Sequence, residues 1–216
     1  MNTFTPASPA PRHAGWRRPL ARLLLAGSLL GLLAGCSSMQ AMQAQNPASA
    51  LKPVNAVAGA GSDRLMLKGH DLVAYFTQGR HALGQAQFSS VYEQVTFHFA
   101  SAEHKALFDA SPQKYLPQYG GYCADGLVYG IPWGGDADTW RIDDGKLYIF
   151  GGAGSKAAFE LDLPRNRQLA DRYWADEVKG SNSFVQRGYR LVVRVPHYKS
   201  GAELAQLVEA AKLKKP

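Results

Sequence analysis

Lys114-Tyr115-Leu116-Pro117-Gln118-Tyr119-Gly120-Gly121-Tyr122-Cys123-Ala124 is the stretch from which the fold is read. Ser111-Pro112 just before it suits the N-cap and first position of a short helix, and Pro117 ends that helix. Gly120-Gly121 then permit positive φ or close backbone approach immediately before Tyr122-Cys123. Cys123 is one of only two cysteines in 216 residues. A thiol is both the softest ligand and the best nucleophile a chain offers, so its setting matters for any chemistry proposed.

Upstream, Phe88 to Phe99 places Val95, Phe97 and Phe99 on one face and Thr96 and His98 on the other, with Glu93-Gln94 as the turn, which predicts a half-buried hairpin. Leu65 to Leu67 reads as a short strand, followed by a turn at Gly69-His70-Asp71 and an apolar segment, Leu72 to Phe76. Asp71 in that turn is read as bonding the local backbone. Ser101 is positioned to cap a helix reaching Ala110, with Glu103 in its first turn.

Downstream, Asp143-Asp144-Gly145 between Trp140-Arg141-Ile142 and Leu147-Tyr148-Ile149-Phe150 predicts a second hairpin. Ser155 to Leu161 and Pro164 to Val178 predict helices, Tyr189 to Val195 a strand, and Ala202 to Leu213 a last helix. The expected class is α+β: a small antiparallel sheet of hairpins packed with short helices, in a single compact domain.

Residues 1–35 have the form of a secretory signal. Arg12, Arg17, Arg18 and Arg22 precede the uncharged run Leu23 to Gly35, which is too short to span a bilayer. The run closes on Leu33-Ala34-Gly35-Cys36, which resembles the lipobox of bacterial lipoproteins. That resemblance implies acylation of Cys36, a partner membrane reached through the lipid, and a periplasmic location, with the outer membrane expected. Residues 36–63 are small and polar and are read as a flexible tether. Removing the four signal arginines lowers the formal charge from +7 to +3, and no Lys/Arg stripe remains to track phosphates. No nucleic-acid partner is therefore expected. With Cys36 acylated, Cys123 has no disulfide partner in the chain.

Several spaced motifs share one likeness. Gly69-His70-Asp71-Leu72-Val73-Ala74-Tyr75-Phe76, then Phe97-His98-Phe99-Ala100-Ser101-Ala102-Glu103, then Phe108 and Pro112 to Ala124 resemble the YHS domain family in its exported form. The resemblance covers roughly Leu65 to Val178, so residues 64–178 are taken as the YHS-like domain and 179–216 as a C-terminal extension of a strand plus a helix. It implies a small α+β domain and, through metal-transport proteins carrying a related module, metal handling. The metal-associated form carries cysteines where this chain has Ala74, Ala100 and His104.

Three functions compete. A metal-binding module would use Cys123 with His104 and His98, and copper or zinc as the ion. A structural or protein-interaction module would bury an inert Cys123 and meet a periplasmic protein partner. A thiol-dependent redox protein would need a histidine to lower the Cys123 pKa. No paired carboxylates and no Ser/His/Asp arrangement are present, so no catalytic residue is assigned and an enzyme is the least favoured class. His70 is read as beginning the turn beside Asp71, and His81 and His197 as solvent-facing loop residues.

Overall fold

The structure is a computed structural model that describes residues 56–58 and 64–214. The signal segment, Cys36 and most of the tether lie outside the described residues. The described residues all belong to one compact unit.

The first sheet has the strand order β1-β2-β4-β3, with β1 (Ala56–Ala58), β2 (Arg64–Met66), β3 (Gln85–Tyr92) and β4 (Val95–Phe99). Glu93 and Gln94 close the β3/β4 hairpin in left-handed conformations, at φ 50° and 61°, the geometry of a tight two-residue turn. Val95, Phe97 and Phe99 are buried as the alternation predicts. Two details differ from the sequence reading. Strand β2 pairs with β4 in parallel, Leu65 opposite Thr96, so the sheet is mixed. Ala56–Ala58, assigned to the tether, pairs antiparallel with β2, so the tether ends earlier than expected.

Strands β5 (Asp136–Asp143) and β6 (Lys146–Phe150) form the second hairpin, turning at Asp144-Gly145. Strand β6 is the wall between two cores. Its Leu147 and Ile149 pack with Met66, Leu72, Phe97, Phe99 and Phe108, whereas Tyr148 and Phe150 pack with Tyr119, Cys123, Phe159 and Tyr173. A strand buried on both faces reads as an unbroken apolar run, which Leu147-Tyr148-Ile149-Phe150 is. The Pro117–Cys123 stretch runs beside β6, with parallel bridges Pro117 to Leu147 and Cys123 to Ile149. A side chain at Gly135 would stand 2.4 Å from Ile149 and 2.5 Å from the Gly121 carbonyl, so glycine is required there.

The helices are α1 (Leu72–Thr77), α2 (Ala102–Ala110), α3 (Pro112–Tyr115), α4 (Ala124–Leu127), α5 (Ala153–Glu160), α6 (Leu163–Tyr173), α7 (Ser183–Val192) and α8 (Gly201–Leu213). Ser101 caps α2 through the His104 N–H, and Pro112 opens α3. Helix α6 runs on as a π-helical turn, Trp174–Val178. No helix among the described residues is long and apolar enough to cross a membrane.

The strand expected over Tyr189–Val195 is corrected: most of it belongs to α7, so the C-terminal extension is two helices. Asn182 caps α7 by accepting from Phe184 N and Val185 N. Polar anchors then fix the helix. Gln186 Nε2 donates to the Gly130 carbonyl (3.2 Å) and to Glu177 Oε2 (2.9 Å), and Arg190 Nε donates to Glu177 Oε2 (2.8 Å). These bonds recur at helical spacing, which a β-propensity count over Leu191-Val192-Val193 does not register. The extension also belongs to the core: Val195 is buried in the Cys123 cluster, and Tyr198 meets Tyr129 edge-on at 5.5 Å.

Candidate functional site

The structure does not bring Cys123, His104 and His98 together. Among the described residues no group of three or more His, Cys, Asp or Glu side chains is placed to hold a metal ion. The reason lies in what His104 already binds. Its ring is buried, Nδ1–H donates to Asp71 Oδ2 at 2.5 Å, and Nε2 lies 3.2 Å from Thr77 Oγ1 and 3.3 Å from Gln78 Nε2. Both nitrogens are engaged, so the ring has no free lone pair to offer a cation.

Asp71 is the other half of this clamp. Its side chain is fully buried, and Oδ1 accepts from Val73 N (2.8 Å) and Ala74 N (3.3 Å), capping α1. Oδ2 accepts from Ala100 N (2.8 Å) as well as from His104. One carboxylate thereby ties α1 to the β4–α2 corner and to α2. The Gly-His-Asp turn motif thus serves architecture, with Asp71 satisfied by four donors.

His98 sits half-buried on β4 beside the turn at Gly69, where an added Cβ would stand 3.2 Å from its Nδ1. His197 corrects the expectation of a solvent-facing residue. It is half-buried, Nε2–H donates to the Val128 carbonyl at 2.9 Å, and the ring lies 5.8 Å from Tyr129 and 5.9 Å from Tyr173.

Cys123 occupies a different centre. It is the N-cap residue of α4, with its N–H donating to the Trp133 carbonyl at 2.9 Å, and it is buried. Burial pushes its thiol up, outweighing the Gly126 and Gly151 N–H groups and the Ser155 hydroxyl that face the sulfur, while the nearby Asp125 carboxyl adds to the upward push. That direction is opposite to the one a thiolate nucleophile needs.

Asp125, two residues on, is the chemically distinctive group. It is buried, its carboxyl has no hydrogen-bond partner among the described residues, and burial pushes its pKa up to about 7. Local backbone puts it there. Ala124 and Leu127 of the four-residue α4 face the core, and a side chain at Gly126 would stand 2.5 Å from the Ile131 carbonyl. The carboxyl therefore lies on the cavity side of the turn.

That cavity has a volume of about 420 Å³ and is bordered by Cys123, Asp125, Tyr129, Trp133, Ser155 and Tyr198. A second lobe of about 420 Å³ runs between α5 and α8 along Ala158, Leu204 and Val208. The two lobes share Asp125, Ser155, Gly201 and Leu204. Apolar and aromatic side chains form much of the walls; the Asp125 carboxyl borders both lobes and the Cys123 thiol the first alone, a set of groups that suits a small ligand. Asp125 was not singled out from the sequence, although it is the only charged residue between Lys114 and Asp136, and that isolation was the available signal. No family model, no curated protein and no solved structure matches the chain.

Proposed function

We propose that the protein is an exported, lipid-anchored binding module of YHS type that holds a small ligand in the cavity shared by Cys123 and Asp125. One observation carries this reading: a buried thiol and a buried carboxyl with no hydrogen-bond partner among the described residues border the same cavity of about 420 Å³, whose walls mix aromatic and polar side chains. With its pKa pushed up to about 7 by burial, the Asp125 carboxyl holds a proton well above the usual carboxylate range and can donate it to a ligand acceptor. The ligand therefore has an apolar or aromatic body for Tyr129, Trp133 and Tyr198 and one hydrogen-bond acceptor for Asp125.

A second reading keeps the metal. Copper or zinc would be held by Cys123 and Asp125 in place of His104 and His98, because Cys123 and Asp125 border one cavity and neither histidine does. Further ligands would have to come from outside the chain, since such an ion takes about four.

Native mass spectrometry of the protein recovered from membranes of exporting cells tests both. The small-ligand reading expects a bound mass that disappears in Gly201→Trp. This substitution fills the cavity mouth where an added side chain meets nothing within 4 Å. The metal reading expects an ion mass lost in Cys123→Ser and in Asp125→Asn. A bare protein mass in the wild type contradicts both.

A further inference from the structure

Helix α7 is amphipathic with its faces reversed. A surface helix ordinarily turns its apolar stripe to the core. Here Ser183 and Gln186 are buried and Arg190 is held by Glu177, whereas Phe184, Val185, Tyr189 and Val192 point outward, Val192 with 82% of its surface exposed. Leu191 and Val193 widen the patch. The polar anchors to Gly130 and Glu177 fix this orientation. Exposing so contiguous an apolar strip is unfavourable unless something covers it.

The charge around the strip indicates what covers it. From Ser183 to Ser200 the chain has Arg187, Arg190, Arg194 and Lys199 and no acidic residue. Glu177 neutralises Arg190 from the core side. Arg187 is turned inward, over the Trp133 ring at 5.0 Å and donating to the Pro132 carbonyl, whereas Arg194, over Tyr198 at 4.5 Å, and Lys199 are exposed beside the strip, with Glu203 near them but forming no ion pair with either among the described residues. A second copy of the chain packed on this face would bring like charges together. Anionic lipid headgroups complement them, and Tyr189 and Trp133 are the aromatic types that favour a headgroup boundary.

We infer that the Phe184-Val185-Tyr189-Val192 face of α7 docks on a lipid bilayer surface, its side chains entering the headgroup boundary and the exposed Arg194 and Lys199 meeting anionic headgroups. Proximity rests on the reading of Cys36 as the lipid anchor; the chemistry of the face does not. The nineteen residues between Cys36 and Ala56 span roughly 65 Å at full extension. That length lets an anchored domain lay this face on the same membrane.

Flotation of residues 39–216, which lack Cys36 and include every described residue, with lipid vesicles isolates the face from the acyl chain. Wild type is expected to float with vesicles of phosphatidylethanolamine and phosphatidylglycerol and to float less with phosphatidylcholine alone. Phe184→Asp with Val192→Asp is expected to reduce binding by about tenfold or more, with the far-UV spectrum unchanged because both side chains face solvent. Arg194→Gln with Lys199→Gln is expected to weaken binding to the anionic vesicles only. Wild type that floats with neither composition overturns the inference. A concentration-dependent dimer abolished by the Phe184/Val192 pair, without lipid binding, overturns it in favour of self-association. A full-length chain from membranes that lacks acyl mass at Cys36 removes the anchor reading and leaves the flotation result standing.

Discussion

Asp71→Ala is expected to cost about 3–5 kcal/mol of folding stability. The carboxylate accepts from Val73 N, Ala74 N, Ala100 N and His104 Nδ1 in a site without solvent access. Truncation leaves these four donors unpaired in a dry environment, and the ring of His104 loses the group that orients it. Asp71→Asn keeps an oxygen for the α1 cap and is expected to lose roughly half as much. Denaturant unfolding of the three proteins measures this directly. A loss under about 1 kcal/mol for Asp71→Ala would mean that the clamp does not connect α1 to α2.

Asp125→Asn is expected to act in the opposite direction, and only at high pH. Burial raises the folded-state pKa from 3.8 to about 7. The folded protein therefore keeps the proton where the unfolded chain has released it, and stability falls as pH rises from about 4 to 7. Below that window both states carry the proton, and above it the fold carries a buried carboxylate at full cost. Asparagine does not titrate. The stability difference between Asp125→Asn and wild type should shift in favour of the variant by on the order of 4 kcal/mol between pH 3 and pH 8. All other groups titrate alike in the two proteins, so urea unfolding across this range isolates the effect. A difference independent of pH would show an ordinary, solvated carboxyl.

These two aspartates also mark how far the sequence could be read. Local signals were legible: the Asp144-Gly145 hairpin, the Ser101 cap, Pro112 at the start of α3, and the alternation of β4 all depend on neighbours within a few residues. The cap made by Asp71 was local as well and was read. Its bond to His104, thirty-three residues away, depends on how α2 packs on α1, which no spacing rule encodes. The sequence points to Cys123 as the centre and to histidines as its partners, because His104 stands at a position that is cysteine in the metal-associated form. Asp125 was passed over, although a single charge inside an apolar stretch is a group the fold must either pair or place at a cavity. Helix α7 was misread for a related reason. Its β-branched residues face solvent, so the informative period is that of Gln186 and Arg190 on the inner side. The signal peptide, Cys36 and the YHS likeness remain readings of sequence.

The most direct measurement is the titration of the Asp125 side-chain carboxyl by carbon NMR, in residues 39–216 and in the same chain carrying Gly201→Trp. If Asp125 forms the floor of a ligand cavity bordered by Gly201, its inflection lies near pH 7 in the wild type. It moves higher when tryptophan closes the mouth, because excluding water disfavours the charged form further. An inflection near pH 4 that Gly201→Trp leaves unchanged would contradict the account.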